Sequence, residues 1–345
     1  MPRSRAWRVL VVLATLASLA FAPTAASAAP FNGGGITALA KVFFPNPVVT
    51  SGNLALTDRK DADYAALNSQ RVTVTLTNLD GSGNLCGAWA CVVNQTGKGA
   101  FETDGTYYYT RHDDRFEQVM AYYWVTQSQL YLQSLGFGAG GPYQGINDNP
   151  QSVRIDQWGV DNSFASDKPK DQMVFGKGGV DDAEDAEVIL HEYGHQIHFS
   201  QSPLFFSSTE AGSISEGFGD YWAADVSEVV AGLQDDPACI ADWDSVSYTP
   251  GPQHCLRRLD ADLTYPDDLN GRVHHDGEIW SQALWSIRIA LGHVQADTAI
   301  LLAQFGWKGT NMPVLATRTV AAAQNLYGSV AANKVWQAFH DRGIL

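Results

Sequence analysis

The stretch Ala186-Glu187-Val188-Ile189-Leu190-His191-Glu192-Tyr193-Gly194-His195 is followed by Ser213-Ile214-Ser215-Glu216-Gly217-Phe218-Gly219-Asp220. In the first, Val188, Ile189 and Leu190 run straight into two histidines four residues apart. On a helix such residues share a face, so both imidazoles point to one place. Two histidines beside a glutamate on a partly buried helix are costly unless something satisfies them, and a bound cation does so. A chance His-Glu-x-x-His on a surface helix is the competing explanation, and the apolar run ahead of the motif speaks against it.

A catalytic zinc takes three protein donors and keeps one position open, so a third donor is required downstream. The extended pattern with a third histidine needs glycine at 198 and histidine at 201; the chain has His198 and Gln201, which excludes that class. A glutamate on a second helix meets the requirement, and Glu216 supplies it. Asp220, four residues on, shares its face and can accept the remaining N–H of a ligating histidine. Glu192 is adjacent to His191, so it lies beside the metal and can take a proton from water without being a ligand.

Working outward, the 345 residues suffice for one large or two medium domains. With 45% hydrophobic and 17% charged residues the chain is globular rather than disordered. A net charge of -15 disfavours nucleic acid and anionic membranes as partners, since both need clustered Lys and Arg. Arg3, Arg5 and Arg8 precede the apolar run Val9 to Phe21, and Ala26-Ser27-Ala28 offers a small-x-small cleavage site, so residues 1–28 read as a signal peptide cut after Ala28. Pro23 closes the run short of the ~20 residues of a spanning helix. The expected product is a secreted, extracellular monomer with no membrane attachment once the signal is removed. In that oxidising setting the four cysteines are expected to pair locally, Cys86 with Cys91 and Cys239 with Cys255; there is no Cys-x-x-Cys spacing for a metal.

From Phe31 to about Asp104, short β-prone runs such as Arg71 to Leu76 alternate with turn residues. The first strong helix signal runs from about Asp114 to Leu135; strands are expected at Ser152–Trp158 and Gln172–Phe175. Helices follow near 186–199, 214–231, 275–291, 295–305, 313–327 and 330–341. The fold class expected is α+β, with a β-rich subdomain over 29–185, an α-helical subdomain over 186–345, and the two-histidine helix at their junction.

His-Glu-Tyr-Gly-His followed by Ser-Glu-Gly-Phe-Gly-Asp-Tyr resembles the thermolysin and fungalysin families of Glu-zincin metallopeptidases. The resemblance implies a thermolysin-like two-subdomain unit, protein or peptide substrates, His191, His195 and Glu216 as zinc ligands, Glu192 as general base and Asp220 behind the ligands. Asp161-Asn162-Ser163-Phe164 looks like the families' substrate-lining edge strand, which makes Asn162 a substrate-orienting residue. Val273-His274-His275-Asp276-Gly277 is similar to the segment carrying their oxyanion-donating histidine; His274 fits the register best and His275 is the runner-up. Arg257, in Cys255-Leu256-Arg257-Arg258-Leu259, matches the arginine beside it. The tyrosine that assists the oxyanion has no match in Leu204 to Ser208. Relatives commonly carry a long propeptide, whereas the length after Ala28 matches a catalytic unit alone, and they often favour bulky apolar residues after the cut.

The acidic run Asp181-Asp182-Ala183-Glu184-Asp185-Ala186-Glu187 is either a wet surface or the seat of a hard cation. Family members often bind calcium near this helix, so calcium is a second candidate metal. Two other readings stay open. A non-catalytic zinc-bearing surface or adhesion protein would have no use for Glu192, and a zinc aminopeptidase would need the Gly-x-Met-Glu-Asn motif that this chain lacks.

Overall fold

The computed structural model describes residues 34–345 apart from 95, 157, 158, 170, 233 and 249–254; the signal-peptide expectation lies outside them. The elements run β1 (Ile36–Val42), α1 (Pro47–Ser51), α2 (Ala65–Asn68), β2 (Val72–Leu79), β3 (Ala90–Asn94), β4 (Thr106–Tyr107), α3 (Arg115–Ser134), β5 (Gln151–Ile155), β6 (Phe164–Ser166), β7 (Gln172–Val174), α4 (Ala186–Gln201), α5 (Thr209–Ala231), β8 (Cys239–Ile240), β9 (Arg257–Arg258), α6 (Val273–Leu291), α7 (His293–Gln304), α8 (Met312–Tyr327) and α9 (Ser329–His340). Most strands lie in the first half and most long helices in the second, as the periodicity predicts, with α3 set among the strands and the short β8 and β9 between α5 and α6, in a mixed α+β fold.

Two sheets form the first half. One has the order β2-β1-β4, and β1 and β2 are antiparallel from Val42 opposite Val72 to Ile36 opposite Leu79. The other has the order β3-β5-β7-β6, parallel except for β6, which runs antiparallel along the outer edge of β7. Helix α3 packs against both sheets and against α4. That placement explains why Phe116 to Gln129 is buried on every face, where a surface helix would bury a single stripe.

In the second half α5 lies between α4 and α6. The closeness of the three helices is set by glycines. A Cβ on Gly194 would sit 2.9 Å from the Cα of Gly219, and one on Gly217 would sit 2.2 Å from the carbonyl oxygen of Gly277, so only hydrogen fits at these crossings. Helix α5 begins at Thr209, earlier than the apolar pattern predicts, because the Ser208 side chain caps it by accepting from the N–H of Ala211. Helix α6 begins at Val273, which puts His274 in its first turn. Both expected disulfides are formed. Cys239–Cys255 ties the antiparallel β8–β9 pair, in which Ile240 opposes Arg257.

Candidate metal centre

Asp185 caps α4 by accepting from the N–H of Glu187, and the helix then carries His191, Glu192 and His195 inward, where all three are buried. Helix α5 brings up Glu216. Its carboxylate lies 3.2 Å from Nε2 of His191 and 3.7 Å from Nε2 of His195, and one donor atom from each of the three residues falls within 4.8 Å of the others.

The opposite side of each imidazole is fixed. Nδ1 of His191 is 2.9 Å from Asp220 Oδ1, and Nδ1 of His195 is 2.9 Å from Ser215 Oγ. If each Nδ1 donates there, each Nε2 keeps its lone pair facing Glu216, the tautomer that a metal ligand needs. Ser215 Oγ also meets Nδ1 of the buried His198 at 2.9 Å, and its own hydroxyl proton serves that contact. His198 is stacked between Phe205 and Phe218, a core histidine rather than a donor to the site.

These residues suit a zinc ion on the structure's own terms. There are two nitrogens and a carboxylate, the ligand chemistry zinc takes. Glu216 is buried with Oε2 3.2 Å from Nε2 of His191, so a cation between them would meet both donors at once. Burial would depress His191, but Asp220 and Glu216 outweigh it and raise the imidazole to about 10; a cation at Nε2 takes the place of the proton they favour. Burial drives His195 down to about 4, so it is neutral and ready to ligate.

Glu192 is 6% exposed, with Oε2 lacking a partner and the other side of the carboxylate receiving the backbone N–H of Ala165 on the edge strand β6. Burial lifts it to about 7, against the pull of His191 and Arg257. Asp220 is fully buried and, despite that, lowered to about 2 by Arg257 and His191. Arg257 grips it bidentately, Nε and Nη2 each at 2.6 Å. Asp220 is thus not a helix-surface acid, and two nitrogens of Arg257 hold it.

Of the two adjacent histidines, His274 turns to the centre, Nε2 3.3 Å from Glu216, while Nδ1 of His275 faces Asp276. Asn162, Ser163, Glu192, Arg257 and His274 line one cavity together with His191. His195, Glu216 and Asp220 do not line that cavity but contact its residues, Glu216 meeting His191 and His274 and Asp220 meeting His191 and Arg257. Sequence reasoning missed Ser215, whose signal was its place next to Glu216, and Gly219, whose absent side chain makes room for the His191 ring.

The acidic run is not a wet surface: Asp181 to Glu187 is buried throughout. Glu184 takes the guanidinium of Arg111 at 2.8 Å and the indole N–H of Trp243. Asp185 accepts from the N–H groups of Trp243 and Asp244, and Glu187 from Ser227 and the N–H of Ala241.

Fold and site together define a zinc metallopeptidase of the class with two helical histidines and a downstream glutamate. The chain belongs to the fungalysin metallopeptidase (M36) family, whose model matches residues 91–303. It is accordingly a zinc hydrolase acting on peptide substrates. Among solved structures it is similar to the precursor of protealysin, a metalloproteinase from Serratia proteamaculans, with 19% identity, a TM-score of 0.54, and coverage of 74% of this chain and 87% of that one. That likeness supports the α+β fold. Comparison with curated protein sequences finds no match.

Proposed function

We propose that the protein is a secreted endopeptidase in which Glu192 is the general base. The observation that carries this reading is the buried carboxylate of Glu192, with one oxygen unpartnered, in a cleft shared with His191 and His274. Bound by His191, His195 and Glu216, zinc supplies Lewis acidity to water and to the peptide carbonyl. Glu192 accepts the proton of the attacking water and passes it to the leaving amine. His274 donates to the oxyanion that forms on the carbonyl. Asp220 and Ser215 hold the two imidazoles, and Arg257 keeps Asp220 ionised and in place. The exposed edge of β6, entered from Asn162, can add an extended peptide through main-chain hydrogen bonds, which tolerates many sequences.

Two subdomains dividing near Asp185 and Ala186, with the cleft at their junction, suit this task. Secretion is supported by the basic and apolar start of the sequence and by the two disulfides. No described helix is long and apolar enough to cross a membrane. Calcium is not required to account for Glu184, Asp185 or Glu187, which protein donors satisfy. The deciding experiment compares cleavage of casein by wild type and Glu192→Gln at equal zinc content. The expected result is loss of at least about two orders of magnitude in the variant; equal activity refutes the role of Glu192, and bound zinc without any activity in wild type points to a binding module. Cleavage of an N-terminally blocked peptide separates an endopeptidase from an aminopeptidase.

A further inference from the structure

We propose that the cleft beside the zinc residues is a specificity pocket for a lysine or arginine side chain of the substrate, next to the scissile bond. This rests on the peptidase reading above. The cavity, of about 300 Å³, that contains His191, Glu192 and His274 is also lined by Val188, Ile240 and Leu256, and by the carboxylates of Asp182 and Asp244. Asp161 joins those two acids: one carboxylate oxygen of each lies within 4.8 Å of the others.

Asp182 and Asp244 are 3% and 4% exposed, yet Oδ1 of each has no hydrogen-bond partner, and neither has Oδ1 of Asp161. Buried carboxylate oxygens left without a partner are destabilising, and these stand in contrast to the satisfied acids nearby. Among the described residues no lysine or arginine pairs with Asp182 or Asp244. Arg257, the cation that acts on Asp244, is held by Asp220. Burial and the neighbouring acids raise both groups, Asp182 to about 8, so a cation arriving between them relieves an existing cost.

Aliphatic walls combined with carboxylates match a side chain that has a long apolar stem and a charged head. A guanidinium or ammonium can serve several carboxylate oxygens at once. A calcium ion suits the place less well. It takes six to eight oxygens, whereas one oxygen from each of three carboxylates converges here and Asp182 Oδ2 already receives the hydroxyl of Ser163.

The test is cleavage-site sequencing by the zinc-loaded protein on a mixed peptide library, followed by kcat/KM on matched peptides with Lys, Leu or Glu at the selected position. Lysine and arginine should be enriched at one position bordering the cut, with at least about a tenfold advantage of Lys over Leu, the scale of a charge-assisted hydrogen bond. Asp182→Asn combined with Asp244→Asn should lower the Lys-over-Leu ratio about tenfold. That ratio is internal to each preparation, so loss of folded protein does not imitate the effect. On wild type, butylguanidinium should inhibit competitively and butanol should not. Cleavage with no preference for basic residues, or an unchanged ratio in the double variant, overturns the pocket while leaving the peptidase reading intact. Calcium binding that the double variant loses, without a basic preference, makes it a calcium site instead. Failure of wild type to cut any peptide removes both readings.

Discussion

Replacing Gly219 by alanine probes the link between helix packing and metal affinity. The new Cβ would lie 2.8 Å from Nδ1 and Cε1 of His191, where ordinary contact begins at 3.4 Å, so the ring must retreat by about 0.6 Å. It cannot retreat freely. Nδ1 is bonded to Asp220 at 2.9 Å, and Gly194 already touches Gly219 through the crossing of α4 and α5. Metal–ligand distances tolerate only ~0.2 Å, about a third of the required displacement. Zinc affinity should therefore fall about 10- to 100-fold, the range seen when support behind a ligand is disturbed. Thermal stability of the zinc-free protein should fall by no more than about 2 kcal/mol, because alanine gains roughly 1 kcal/mol of helix propensity against an overpacking cost of about 1–3 kcal/mol. Competition with a chromophoric chelator measures the first quantity and calorimetry the second. Gly212→Ala serves as a control on the same helix, since its Cβ would meet only the side chain of Val273 at 3.1 Å. Zinc affinity of Gly219→Ala within about twofold of wild type would refute the argument that this crossing positions His191.

Asp220→Asn keeps the shape but removes the charge that faces His191 and Arg257, so zinc affinity should drop about 10- to 100-fold in the same chelator assay. Arg257→Lys should reproduce part of that loss, because an ammonium cannot hold both oxygens of Asp220 as the guanidinium fork does. Stability should fall as pH rises from about 5 to about 9. Burial raises Asp156 to about 7 and Asp181 to about 9 from an ordinary 3.8, so the native state binds more protons than the unfolded chain across that window. The stability these groups contribute is complete below their ordinary value and is lost as pH passes through the raised ones. Asp156→Asn should flatten the fall of Tm, and a Tm that rises over this range would contradict the assignment. Removing Cys239–Cys255 by paired serines should cost about 3 kcal/mol and weaken zinc binding, because the bridge ties β8 to the strand that delivers Arg257; unchanged zinc affinity would show that the β8–β9 pair needs no tie.

The spacing of His191, Glu192, His195, Glu216 and Asp220 pointed to the donor set before any coordinates, because helical periodicity decides which side chains share a face within each helix and the resemblance to the Glu-zincin families joins the two helices. The helices were legible for the same reason, with boundaries a few residues off where a cap such as Ser208 rather than the apolar pattern sets the start. Local cysteine spacing anticipated both bridges.

Other features depend on contacts between distant segments. His274 and His275 are chemically alike, and only the direction of α6 turns the first to Glu216 and the second to Asp276. In the sequence the acidic run is either a wet surface or the seat of a cation, because like charges repel in a linear view; folding brings Arg111, Trp243 and the N–H groups of the turn after β8 to its oxygens. The same folding leaves one oxygen each of Asp182 and Asp244 without a partner. A sequence determines which groups can ligate, donate or repel, since that is a property of residue type and local period. Whether a given carboxylate is answered from within the protein or left for a substrate is decided by what the tertiary structure packs against it.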